Sequence, residues 1–143
     1  MGKLKMKKAL IFTLFIFSFI ACTDNKEMID VQNESVIIDG NHYKQLETNN
    51  YTIVDVQLIG DLMKVKISSG GCDGSSWKAT LVDANIIMKS YPAQRNIKLS
   101  LENTEMCFAI VEREFTFDIK VLKEGLSGVN LNLEGWNTQI NYN

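Results

Sequence analysis

Val54-Asp55-Val56-Gln57-Leu58-Ile59-Gly60-Asp61-Leu62-Met63-Lys64-Val65-Lys66-Ile67 alternates apolar and polar residues on both sides of a Gly60-Asp61 turn. Val54, Val56 and Leu58 share one phase, with Asp55 and Gln57 on the other. Met63, Val65 and Ile67 repeat the pattern against Lys64 and Lys66. A period of two sends successive side chains to opposite faces, so each segment reads as a strand with one buried and one wet face. Downstream, Trp77, Ala79 and Leu81 oppose Lys78 and Thr80, and Ile97, Leu99 and Leu101 oppose Lys98 and Ser100. Val129, Leu131 and Leu133 oppose Asn130, Asn132 and Glu134, and Ile140 and Tyr142 close the chain. Cys107 to Ile119 reads as two strand segments joined by a bend at Glu112-Arg113-Glu114, with Phe115, Phe117 and Ile119 pointing inward. Upstream, Asp39-Gly40 between Val36-Ile37-Ile38 and His42-Tyr43 predicts a tight hairpin, because both central positions of a type I′ turn need positive φ. The lone proline, Pro92, predicts an edge-strand break or a crossover between sheets. No window carries a helical stripe. The expected fold is all-β: one antiparallel immunoglobulin-like β-sandwich over residues 35–143, with a single core.

The N-terminal segment has a different composition. Lys3, Lys5, Lys7 and Lys8 precede an apolar run from Ala9 to Ala21, interrupted by Thr13 and Ser18. The run falls short of the about 20 residues of a spanning helix and fits the apolar region of a secretory signal. It ends in Phe19-Ile20-Ala21-Cys22, which matches a lipobox except that Phe19 stands where Leu is usual. Residues 1–21 are therefore expected to be a cleaved lipoprotein signal peptide, with a diacylglyceryl group on Cys22. An ordinary cleaved leader, or an uncleaved anchor that happens to contain a cysteine, are the alternatives. Residues 22–34 read as the lipidated cysteine and a polar tether. Each buried CH₂ of a lipid chain contributes about 0.8 kcal/mol, so two or more chains hold a domain on a membrane without a spanning segment. Without residues 1–21 the chain keeps 11 Lys+Arg against 17 Asp+Glu, a formal charge of −6. That balance argues against nucleic acid as a partner.

Setting Cys22 aside leaves Cys72 and Cys107, an even pair in an oxidising compartment, so a Cys72–Cys107 disulfide is expected, with free buried thiols as the alternative. Closing that loop of about 35 residues would stabilise the fold by roughly 4 kcal/mol in the chain-entropy model. Gly70-Gly71-Cys72-Asp73-Gly74 lacks the Lys and the strand-to-helix setting of a phosphate loop. Ser75-Ser76-Trp77-Lys78 has the spacing of S-x-x-K, but that chemistry needs a helix where a strand is expected. The loop reads as a tight turn carrying Trp77 toward the core. Trp77, and Trp136 in Glu134-Gly135-Trp136, are the candidate binding residues. His42, the only histidine, cannot build a triad or a multi-histidine metal site by itself. Asp73, Asp83, Glu112, Glu114 and Asp118 are scattered over turns and strand faces. No catalytic residue, metal site or cofactor is assigned.

Gly71-Cys72-Asp73-Gly74-Ser75-Ser76-Trp77, Cys107, Phe115-Thr116-Phe117-Asp118-Ile119 and Leu131-Asn132-Leu133-Glu134-Gly135-Trp136 together resemble small uncharacterised lipoproteins of the Bacteroidota, especially flavobacteria. The resemblance covers roughly Tyr51 to Asn143 and the leader. It implies an envelope location and carries no catalytic residue across. The expected function is that of a non-enzymatic, lipid-anchored cell-envelope lipoprotein, held to the membrane through Cys22. It would sit on the outer membrane, facing the periplasm or the surface, and bind a protein or glycan partner by a loop end or a sheet edge. A small-molecule, glycan or ion-binding module using Trp77, Trp136 and nearby carboxylates is the alternative. A hydrolase using Ser75, Lys78 or a carboxylate pair comes third.

Overall fold

The structure, a computed structural model, describes residues 33–143; the leader, Cys22 and the tether through residue 32 lie outside the described residues. In chain order the elements are β1 (Asn33–Ile38), α1 (Gly40–Gln45), β2 (Thr52–Ile59), β3 (Leu62–Gly71), β4 (Lys78–Met88) and β5 (Ala93–Glu102). They continue with β6 (Ala109–Asp118), a 3-10 turn (Lys120–Lys123), β7 (Val129–Leu133) and β8 (Ile140–Tyr142). The sheet begins at Asn33, two residues before the expected boundary of the folded part.

The fold is all-β, as expected, but its sheet is mixed and does not follow an antiparallel immunoglobulin-like sandwich. One eight-stranded sheet runs β2-β3-β6-β1-β4-β5-β7-β8. β1 is parallel to both of its neighbours: Asn33 and Glu34 pair with Thr116 and Phe117 of β6, and Ser35 to Ile38 pair with Thr80 to Asp83 of β4. β5 and β7 are parallel as well. The Asp39-Gly40 hairpin is absent for the same reason, since a parallel strand cannot be left by a two-residue turn. Asp39 instead caps α1, its carboxylate accepting the backbone N–H groups of Asn41 (2.8 Å) and His42 (3.0 Å) that a helix start leaves free. Those two bonds also hold its carboxyl below the usual range.

The β2–β3 hairpin turns at Gly60, whose φ of +60° suits a two-residue loop between the paired Ile59 and Leu62. A bulge between Ile53 and Asp55 shifts the phase of β2. Two residues then face one partner, so Ile53 enters the core while Val54, expected inside, is 41% exposed. β6 is one continuous ten-residue strand, without the expected bend. Glu112 and Glu114 sit on its outer face, where Lys66 (2.8 Å) and Lys64 (3.0 Å) of β3 balance their charge. Pro92 lies in the turn between β4 and β5, not at a crossover.

The inward phase read from the other strands holds. Met63, Val65, Ile67, Leu81, Ile97, Leu99, Phe117 and Leu131 are fully buried in one cluster. The sheet curls almost into a barrel around it. Leu46–Tyr51 bridges the remaining gap, with Asn50 Nδ2 and Tyr51 Oη donating to the carbonyls of Leu101 (3.0 Å) and Leu99 (2.7 Å) beyond the part of β5 that β7 covers. Ser69 Oγ of β3 donates to the Asn50 carbonyl (2.6 Å) from the other side.

Among the described residues, one charged pair sits inside. Arg95 Nε and Nη2 donate to the two carboxylate oxygens of Asp83 at 2.9 Å each, and both residues are buried. Asp83 also accepts the N–H of Asn85 at the irregularity that interrupts β4. Removing one member of a buried pair strands the other charge, so Asp83→Ala is expected to lose about 3–5 kcal/mol in urea unfolding at neutral pH. The double change Asp83→Leu with Arg95→Met should lose far less.

Candidate functional site

Antiparallel pairing of β3 with β6, from Leu62–Asp118 to Gly71–Ala109, gives the molecule two distinct ends. At the Gly71 end, the β3–β4 loop meets the β5–β6 loop. The Cys72–Cys107 disulfide joins them with a Cα–Cα distance of 4.8 Å, as the sequence led us to expect. Beside it the loop 72–76 folds around a carboxylate. Glu105 Oε2 accepts the backbone N–H groups of Cys72, Asp73 (3.2 Å) and Gly74 (3.0 Å), and Oε1 accepts the Ser76 hydroxyl (2.9 Å). Successive N–H groups turned to one point form an anion-binding nest, occupied here by a residue of the same chain. Burial raises the Glu105 pKa, but the bonds from Gly74, Cys72 and Ser76 outweigh it and bring it down to about 2. Gly71 is required for this approach: a Cβ there would lie 2.6 Å from Glu105 Oε2 and 2.8 Å from Trp77 Cζ2.

Trp77, a candidate binding residue, is buried in the core cluster behind this loop, with its indole N–H without a partner among the described residues. Trp136 is half-buried against the core. Ser75 sits in a turn held by Asp73, and Lys78 begins β4, so the S-x-x-K residues lack the helix N-terminus that their chemistry needs. His42 lies exposed on α1, not on a strand. Each expected carboxylate has a structural partner: Asp73 binds the Ser75 N–H, Asp83 binds Arg95, Glu112 and Glu114 bind lysines, and Asp118 binds the Lys120 N–H. Among the described residues, no three His, Cys, Asp or Glu side chains gather as a metal site would require.

The opposite end carries a cleft of about 740 Å³ that sequence reasoning missed. The 3-10 turn after β6 forms one wall. It is pinned by Ile119 N–H to the Asp61 carbonyl (2.9 Å) and by fully buried Leu122. Val36, Val121 and Leu126 supply apolar lining; Lys120, Lys123 and Glu124 stand beside Asp61 and Asp118. Tyr142 on β8 donates its hydroxyl to Asp61, and Lys123 Nζ lies 4.8 Å above its ring. Burial, then the Asp61 bond and charge, push the Tyr142 pKa up to about 12. Such a site can hold a group with apolar surface and charges of either sign. Its members come from β1, the β2–β3 turn, the end of β6, the segment after it and β8, so no local motif announces it. A second feature missed is an amide network on the outer face, where Gln139 links Asn130, Asn132 and Gln94 at 2.9–3.1 Å.

The chain matches no protein-family profile and no curated protein. It is similar to a solved Bacteroides vulgatus protein of unknown function, described as DUF1344, with 15% identity and a TM-score of 0.49. The match covers 77% of this chain, which spans 55% of the other. At that level no property passes from one protein to the other.

A lowered carboxyl pKa stabilises the fold above the unfolded value, and that contribution disappears as the folded group is protonated. Glu105 should therefore contribute fully above pH 4.5 and lose its contribution as the pH falls toward 2. Urea midpoints of the wild type and Glu105→Gln should differ by a constant amount from pH 7 to 5. They should converge below pH 4.5.

Proposed function

We propose that this chain is a lipid-anchored envelope lipoprotein that works as a binding module, taking its partner in the cleft formed by Asp61, Asp118, Lys120, Val121, Lys123 and Tyr142. The cleft is the observation that carries the reading. It has the size of a ligand site and offers apolar surface with ammonium and carboxylate groups around it. Its walls are fixed by hydrogen bonds and a buried leucine, so little ordering is needed on binding. Protein or glycan segments suit a site open to solvent on one side, and the cleft volume also suits a small molecule. The anchor reading rests on the Lys-rich leader and the lipobox at Cys22. An acidic folded part needs a covalent anchor, because its charge gives it no attraction to an anionic lipid surface.

Two measurements test this. Labelled palmitate should be incorporated by the wild type and not by Cys22→Ser, which should move from the membrane fraction to the aqueous one. A Cys22→Ser chain that stayed on the membrane as before would refute the anchor. For the cleft, a photo-crosslinking residue at Val121 should capture a reproducible partner in intact cells, and one at Val54 should not. A ligand that raises the melting temperature of the wild type should lose its effect in Lys123→Glu. Equal capture at both positions, or an unchanged ligand shift in Lys123→Glu, would remove the cleft from the proposal.

A further inference from the structure

At the disulfide end, three large apolar side chains project into solvent: Met106 is 89% exposed, Phe108 99% and Ile110 79%. Soluble surfaces carry isolated apolar residues without consequence, but here three stand within five positions. Met106-Cys107-Phe108-Ala109-Ile110 contains no charge. The carboxylate next to it, Glu105, is turned back into the nest, and Asp73 across the disulfide is turned onto the Ser75 N–H. Nor is the display left to a loose loop. Met106 sits between the Glu105 bonds and the Cys107 disulfide, and Asn103 fixes the approach by donating to the Gly70 carbonyl (2.7 Å).

What lies opposite this tip follows from the register of β1. β1 runs parallel to β6 with Asn33 beside Thr116, so its N-terminal end faces the end of β6 that carries Phe108. Phe108 and Thr116 are eight residues apart, about 26 Å along a strand. Eleven residue steps separate Cys22 from Asn33, a reach of up to about 36–40 Å. A lipid on Cys22 can therefore lie level with Phe108 or beyond it. We infer that the Met106–Phe108–Ile110 tip docks into the lipid surface that holds Cys22, as a second, non-covalent contact that sets the orientation of the domain. This rests on the anchor proposed above. It turns the Tyr142 cleft, at the other end of β3 and β6, away from the membrane.

The test uses the full lipidated chain purified from membranes and reconstituted in phosphatidylethanolamine–phosphatidylglycerol vesicles with brominated acyl chains. Phe108→Trp adds a fluorophore at an exposed position, so the fold should be kept, which circular dichroism checks. Its added emission should shift to the blue and fall by about half against unbrominated vesicles, as for an interfacial residue buried at the acyl boundary. Tyr91→Trp, in the β4–β5 turn at the opposite end, should show neither change. Full Phe108→Trp emission on a chain with a lipidated Cys22 would overturn the docking alone, leaving the tip for water or a protein. Equal quenching of both reporters would overturn the orientation. An intact mass showing unmodified Cys22 would overturn the anchor and the docking with it.

Discussion

Everything in this domain depends on β1 lying between β6 and β4 and parallel to both. Without it the strands form two smaller groups, β2-β3-β6 and β4-β5-β7-β8, each with one apolar face. Neither group has a second layer to cover that face, and such sheets are marginal by themselves. Two residues of β1 extend the first group and four extend the second, so one short strand turns two half-cores into one. The burial of Phe117 and Met63 on one side, and of Leu81 and Ile97 on the other, is therefore a single cooperative event. The parallel direction has a further effect. It points the N-terminal end of β1 toward the disulfide end and leaves the opposite end for Asp61, the 3-10 turn and Tyr142.

The two ends are built by different physics. At the disulfide end, order is imposed on segments that contribute little to the core apart from Trp77. A covalent bond and a carboxylate set among backbone N–H groups replace hydrophobic burial there. At the cleft end, the 3-10 turn is ordered by a buried side chain, Leu122, with Asp118 and Ile119 satisfying the backbone around it. The first arrangement can hold apolar side chains out in solvent because its stability does not come from burying them. The second leaves polar and apolar groups side by side on a fixed wall.

The inward phases of β3, β5 and β7 and the end of β6 were legible because each strand buries one face, and that burial writes itself as alternation. Where another interaction competes with alternation, the reading failed. The bulge in β2 exchanged Ile53 for Val54, and nothing in Thr52-Ile53-Val54-Asp55 distinguishes a bulged strand from a straight one. Glu112-Arg113-Glu114 read as a bend because the lysines that neutralise it lie nearly fifty residues away. Asp39-Gly40 suits a hairpin and a helix cap equally, and only the position of Thr80 and Val82 beside β1 selects the cap. Cys72 and Cys107 could be paired because setting Cys22 aside as the expected lipid site leaves two cysteines, which allow one pairing. Glu105 could not be found, since a carboxylate that fills a nest has no sequence signature distinct from one in water.

A partner could in principle add a strand to a free sheet edge, but the edges are guarded. β8 is three residues long, and β2 is bulged. The end of β5 beyond β7 has its carbonyls taken by Asn50 and Tyr51. Among the described residues, Ala109 to Phe115 of β6 has no strand on its second side, yet this stretch alternates charges through Glu112, Arg113 and Glu114. Short edges, bulges and charged residues are the usual means by which sheets refuse an added strand. Pairing by strand addition would also need a flat, uncharged template, which none of these edges offers. The ends of the strands are not guarded in this way: among the described residues, a broad cleft and a rigid apolar tip stand at opposite poles, so the proposed recognition falls there and not on the sheet edges.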